Sequence, residues 1–262
     1  MAFLFVFSPF LRNFVAVKQA MIFAAGLGTR LKPLTDTMPK ALVRVGGQPL
    51  LWHVVMKLKA SGYERIVVNV HHFAHQITDY LAANDNFGLD IRISDETSAL
   101  LETGGGIRKA LPLFDPGSPI LIHNVDILSN LDFAELEMAS APDALLVVSR
   151  RSTKRYLLFD DEYILDGWTN IETGEVRSPY AALDPSDCKQ LAFSGIHVLW
   201  PSVFPLLESM PERFGIIDFY LKYCHQRAFL GREKRDLRLL DVGKLDTLEQ
   251  AEAFLTTTNF TN

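Results

Sequence analysis

The stretch AMIFAAGLGTRLKPLTDTMPKALV, residues 20–43, decides the fold and most of the chemistry of this chain. It opens with a short apolar run, residues 20–25, of the length and composition of a buried parallel strand. The run breaks at Gly26-Leu27-Gly28-Thr29-Arg30 and passes Pro33 and Pro39 to reach Lys40. Glycines let backbone N–H groups approach a phosphate, and Arg30 and Lys40 stay cationic across the neutral range. A strand that runs into a Gly-rich basic loop is a candidate phosphate cradle; a tight turn after a strand is the plain structural alternative. The P-loop pattern is absent, and Leu31 stands at the third glycine position of a dinucleotide fingerprint.

Downstream, Leu50, Leu51, Val54, Val55 and Leu58 repeat at helical spacing over 48–61, with Gly62 as the stop. Residues 65–70 read as a strand, 74–83 as a helix and 89–94 as an alternating strand. The order β-α-β-α-β implies an α/β chain with a mostly parallel, doubly wound sheet. His71, His72 and His75 lack a Cys or carboxylate at ligand spacing, so they read as a strand-end loop rather than a metal cluster. Gly104-Gly105-Gly106 are expected to lead into a helix at 107–113, exposing N–H groups and letting a flat ring lie against the chain.

Residues 119–126 form an apolar strand that delivers Asn124 and Asp126 at its carboxyl end, where ligands of open α/β sheets bind. A carboxylate there is placed to hold Mg²⁺ together with substrate phosphates; a turn or helix-cap residue is the alternative reading of Asp126. Residues 144–150 read as a buried strand, and 151–189 change to short alternating runs with turn residues, read as a hairpin insertion. A strand at 191–199 contains Gly195, a candidate bulge. A helix at 216–227, strands at 229–230 and 237–240, and a last helix at 246–254 complete the chain.

At 262 residues the length suits one large domain, expected over 17–262. Hydrophobic residues at 48% and charged residues at 22% are ordinary for a globular protein. A net charge of −5 gives no electrostatic reason to expect a nucleic-acid partner. Cys188 and Cys224 are far apart and show no zinc or disulfide spacing, which suits a reducing, cytoplasmic setting. Residues 2–11, AFLFVFSPFL, are apolar but lack a basic n-region, are interrupted by Pro9 and are too short to span a bilayer. Residues 1–16 are therefore expected to be an over-extended start, with no membrane partner.

The string A-A-G-x-G-T-R-L-x-P-L-T followed by P-K resembles the signature of the sugar-phosphate nucleotidyltransferases, which make nucleoside-diphosphate sugars. Ala41 departs from it, standing where the family usually has a second proline. The resemblance extends to F-S-G-I around Gly195 and to D-V-G-x-x-x-x-L-x-x-A, carried by Asp241, Gly243, Leu248 and Ala251. The family's Asn-Gly-Asp becomes Asn124-Val125-Asp126, a branched side chain that bears on which sugar fits. Leu101-Glu102-Thr103-Gly104-Gly105-Gly106 is similar to the form found in N-acetylmuramate-1-phosphate uridylyltransferases of cell-wall recycling. It is less like the L-G-T-A-G of mannose-1-phosphate guanylyltransferases.

The resemblance implies a three-layer, Rossmann-like (GT-A-like) sheet with helices on both faces, residues 151–190 forming part of the sugar pocket. It implies nucleotide binding by Ala25, Gly26, Gly28, Thr29, Arg30, Lys40, Glu102 and Gly105, and sugar-phosphate contacts from Asn124 and Gly195. Arg30, Lys40 and Asp126 would carry catalysis, and Asp126 and Asp241 would hold one or two Mg²⁺ ions. The expected reaction joins a nucleoside triphosphate to a sugar 1-phosphate, with UTP and N-acetylmuramate 1-phosphate first. Guanylyl transfer to mannose or heptose 1-phosphate comes second. A non-catalytic nucleotide-sugar sensor of the same fold is the alternative class; a glycosyltransferase would need an Asp-x-Asp pair, absent at 124–126. Oligomeric state is left open.

Overall fold

The structure is a computed structural model that describes residues 17–138 and 141–258. Residues 1–16, read above as an over-extended start, lie outside the described residues. Four parallel strands make one half of the central sheet: β1 (Gln19–Phe23), β2 (Arg65–Val70), β3 (Asp90–Asp95) and β4 (Ile120–Asn124). β1 lies between β2 and β4, and β3 flanks β2 on the outside. The helices joining them are α1 (Leu50–Ala60), α2 (Ala74–Ala83) and α3 (Glu102–Ala110). Downstream come β5 (Ile127–Ser129), β6 (Ala144–Ser149), β7 (Arg155–Phe159), β8 (Leu165–Asn170), β9 (Glu175–Arg177) and β10 (Lys189–Leu199). The chain closes with α4 (Phe204–Glu208), α5 (Ile216–Tyr223), β11 (Phe229–Glu233), β12 (Leu239–Asp241) and α6 (Leu245–Thr258).

Side-chain alternation along the strands explains the three layers. Ala20 and Ile22 of β1 pack into one apolar cluster with Leu51, Val54 and Leu58 of α1 and with Ile77 of α2. Met21, between them, joins a second cluster on the opposite face with Ile107 of α3 and Phe219 of α5. The same split recurs at Ile66 and Val68 against Val67, and at Leu121 against Ile120 and Ile122. A strand buried on both faces must be apolar at successive positions, which is why β1 and β4 read as continuous runs. Each fully buried Val, Leu or Ile contributes roughly 1.5–3 kcal/mol, so the strand centre is the stable frame.

Beyond β4 the sheet turns antiparallel. β10 runs against both β4 and β6, and β6 pairs in parallel with β11. The hairpins expected in 151–189 form as β7, β8 and β9, but they continue the central sheet through the β7–β10 pairing. The glycine run differs more. Gly104, Gly105 and Gly106 lie inside α3 rather than in a loop ahead of a helix at 107–113. The cause is close packing: a Cβ on Gly104 would lie 2.2 Å from the Phe214 ring, and one on Gly105 would lie 2.3 Å from the Glu212 carbonyl. The Gly104 and Gly105 N–H groups both donate to the Phe214 carbonyl, at 2.9 and 3.1 Å. Tertiary contact overrides the poor helix propensity of glycine here.

Inside the second cluster His197 pairs with the Tyr220 hydroxyl at 2.5 Å. Burial pulls the His197 ring down to about 3. The unfolded chain takes up this proton below about pH 6.5, whereas the folded chain takes it up only near 3. Stability is therefore highest above 6.5 and falls as pH drops through that window. Urea titrations at several pH values should show the slope, and the double variant His197→Leu, Tyr220→Phe should reduce it without leaving an unpaired hydroxyl, the remainder belonging to His123. An unchanged slope in that variant would assign the acid sensitivity to other groups.

Candidate active site

The carboxyl ends of β1, β4 and β6 share one edge of the sheet, because β10 runs antiparallel to both β4 and β6. The loop after β1 closes on itself there. Gly28 adopts φ 64° and ψ 24°, and a Cβ on it would lie 2.8 Å from Thr35 Cγ2 and 3.1 Å from Lys40 Cβ. Both the left-handed conformation and the space require glycine. The Thr35 hydroxyl and the Leu31 N–H each donate to the Gly28 carbonyl at 2.8 Å, so the loop is fixed before any ligand arrives.

Lys40 is 8% exposed, and its Nζ forms an ion pair with Asp126 Oδ2. Asp126 follows β4, where the Val125 N–H donates to the Phe23 carbonyl at 3.1 Å and the Val242 N–H donates to the Asp126 carbonyl at 2.8 Å. Those bonds bring the β1, β4 and β12 ends together. Gly243 has Asp241 Oδ1 and Arg30 Nη2 so close that an added Cβ would lie 2.6 and 2.7 Å from them. Arg30, Lys40, Asp126 and Asp241 thus occupy one corner. Burial, and then the nearby Asp126 charge, raise the Asp241 carboxyl above the usual range; Lys40, Arg30 and Arg151 pull the other way. A cleft of about 350 Å³ opens there, lined among others by Gly26, Thr29, Arg30, Lys40, Leu100 and Asp126, a size suited to a small ligand.

The two carboxylates fit a hard divalent cation. Both offer oxygen donors beside the phosphate loop, and Mg²⁺ is commonly held by one or two carboxylates plus substrate phosphates. Among the described residues no group of three or more His, Cys, Asp or Glu forms a self-sufficient metal cage.

Other expected site residues fall in different places. Ala25 is buried, and its N–H donates to Asn69 Oδ1 at 3.2 Å. Asn124 and Gly195 meet: Gly195, at φ 79°, forms the β10 bulge, and a Cβ there would lie 2.5 Å from Asn124 Nδ2. Glu102 and Gly105 do not line the phosphate cleft with Arg30 and Lys40. Glu102 adopts φ 64° and is ion-paired with Arg213 at 2.9 Å, and Gly105 is buried in α3. Leu100 is the residue of that segment in the cleft. Val125 is both buried in the core and part of the cleft wall.

One network was not foreseen. Asn69 Oδ1 accepts from the Ala24 N–H at 2.7 Å as well as from Ala25, and Asn69 Nδ2 donates to Glu96 Oε1 at 2.8 Å. Glu96 Oε2 accepts from the Leu101 N–H at 3.2 Å. Both side chains are at most 1% exposed, so they tie the start of the phosphate loop to the start of α3. The signal was a lone asparagine in the apolar strand Arg65-Ile-Val-Val-Asn-Val70. His123 is likewise buried, held down at about 4 by burial and by Lys57, and its Nδ1 donates to the Asn124 carbonyl at 2.7 Å.

The fold and this corner define an α/β chain with a basic, Gly-rich loop facing two carboxylates. A model of the family described as nucleotidyl transferase matches residues 19–154. N-acetylmuramate alpha-1-phosphate uridylyltransferase of Neisseria meningitidis is 34% identical over 239 residues, covering 90% of this chain and 97% of that protein. The protein of the same name in Caulobacter vibrioides is 50% identical over 113 residues, 42% of this chain and 46% of its own length. The fold matches HddC from Yersinia pseudotuberculosis, solved with GMP-PN, at a TM-score of 0.72 and 20% identity, over 91% of this chain and all of that one. The chain belongs to the nucleotidyl transferase family.

Replacing Asn69 by Ala leaves the Glu96 carboxylate and two backbone N–H groups short of buried partners. The expected cost is roughly 1–3 kcal/mol of stability, read by urea denaturation, with weakened triphosphate binding read by calorimetry. Wild-type stability in Asn69→Ala would show that the network is dispensable.

Proposed function

We propose that this chain is a Mg²⁺-dependent uridylyltransferase that joins UTP to N-acetylmuramate 1-phosphate in the cytoplasm, as part of peptidoglycan recycling. The observation that carries the chemistry is the corner where Arg30, Lys40, Asp126 and Asp241 converge on the Gly-rich loop. The choice of substrates rests on the Neisseria relative, matched over nearly its whole length. Mannose-1-phosphate guanyltransferases also match, with that of Kluyveromyces lactis 35% identical over 120 residues, so guanylyl transfer is the second reading.

The acceptor brings its own nucleophile. A phosphate monoester has a second pKa of about 6 and is largely a dianion near neutrality, so no Ser-His-Asp relay is needed. An oxygen of the sugar phosphate forms a bond to the α-phosphorus of UTP, the bond from that phosphorus to the β-phosphate bridging oxygen breaks, and pyrophosphate leaves. The protein's task is to bring two anions together and to stabilise the leaving one. Backbone N–H groups of residues 26–29 and the Arg30 guanidinium hold the triphosphate, with Arg30 stabilising the charge that grows on pyrophosphate. Lys40 balances Asp126 in the free protein and the reacting phosphates in the complex. Asp126 and Asp241 would hold Mg²⁺, which when bound draws charge off the phosphate oxygens.

Pyrophosphate release measured across four triphosphates and a panel of sugar 1-phosphates should give the highest kcat/KM for UTP with N-acetylmuramate 1-phosphate. A preference for GTP with mannose or heptose 1-phosphate would move the chain to the guanylyltransferases. Lys40→Ala should lower turnover by a few orders of magnitude, or roughly 3–5 kcal/mol of barrier, with a much smaller loss in triphosphate affinity. Arg in its place should rescue poorly, because a planar fork does not reproduce a compact ammonium. Changes in triphosphate affinity in the Lys40 variants of a protein that has no turnover to lose would mark a sensor.

A further inference from the structure

We propose that Arg151 binds the phosphate of the acceptor sugar 1-phosphate, from the β6 and β10 side of the sheet edge. The inference rests on the reaction proposed above. Arg151 is the second residue of the segment between β6 and β7, at the same sheet edge as Asn124 and Asp126. Its Nη2 donates to the Phe193 carbonyl at 2.8 Å. Phe193 is the last residue of β10 paired with β6 before the bulge, and that bulge holds Gly195 against Asn124. The guanidinium is therefore moored beside the pair of residues expected to meet the acceptor.

Its charge is also uncommitted. Neighbouring cations of the same segment are neutralised, Arg150 by Glu233 at 2.6 Å and Lys154 by Glu172 at 2.6 Å. Among the described residues Arg151 makes no ion pair; a neutral carbonyl fixes one of its donors. A guanidinium carries five N–H donors, and its planar fork suits bidentate binding of phosphate. Arg30 and Lys40 belong to the loop that takes the triphosphate, whereas Arg151 arrives from the β6 and β10 side. A dianion that must approach the triphosphate meets repulsion on entry, and a cation on its own side both offsets that and orients the attacking oxygen.

Steady-state kinetics of Arg151→Gln and Arg151→Lys, with each substrate varied in turn, test this. The Gln variant should raise KM for N-acetylmuramate 1-phosphate tenfold or more, with KM for UTP and Tm close to wild type, and Lys should fall between. An unchanged acceptor KM, or an equal rise in both KM values, overturns the assignment while leaving the reaction intact. If wild type turns over no sugar phosphate, the proposed reaction fails and calorimetric titration with inorganic phosphate decides Arg151. In that case phosphate binding weakened fivefold or more in Arg151→Gln supports an anion site at Arg151. Equal phosphate affinity in the two proteins overturns it.

Discussion

The pairing of Lys40 with Asp126 is the contact on which the site depends. It joins the loop after β1 to the end of β4 through two charges largely withdrawn from water, where attraction is stronger than at an open surface. Removing either partner would leave the other charge uncompensated, which costs far more than the pair itself contributes. The Val242 N–H on the Asp126 carbonyl adds the third segment and carries Asp241 to the same place. Arg30 can lie against Gly243 only because that residue has no side chain. Four charged groups separated by up to 211 positions (Arg30 to Asp241) thereby share one corner.

Beneath that corner the frame is apolar on both faces and rigid. β1 sits in the middle of the parallel half, with its neighbours in register from Gln19 to Phe23. The strand ends carry the polar groups that the strand centres exclude. Asn69, Glu96 and His123 are buried polar groups near strand ends, and each makes a hydrogen bond that fixes a neighbouring backbone segment. A buried polar group is costly unless satisfied, and the bonds made by Asn69 and Glu96 hold the loop starts in place at the level where the site begins.

Charge is distributed unevenly. The chain as a whole carries −5, yet Lys40 pairs with Asp126 and Arg30 meets Asp241 at Gly243. Local fields in a cleft, not the net charge, govern how anionic substrates are held and steered.

The order of the elements and the two-sided burial of β1 and β4 were legible in the sequence, as were Arg30, Lys40 and Asp126 as candidates; Asp241 was singled out only through its motif's resemblance to a family. Apart from Asp241, each depends on local pattern: continuous apolar runs, a Gly-rich basic loop, and a carboxylate at a strand end. The place of Gly104–Gly106 was not legible, because the Phe214 ring and Glu212 carbonyl that demand glycine come from more than a hundred residues away. Nor was the continuation of the central sheet by β7, β8 and β9, since the partner strand β10 supplies the pairing and short alternating runs do not name their neighbour. Asn69 announced itself only as an oddity in an apolar strand; its partners Ala24 and Glu96 were set by register. Periodicity and composition determine what a segment becomes, whereas the choice among distant partners is made by packing, and only the folded chain contains that information.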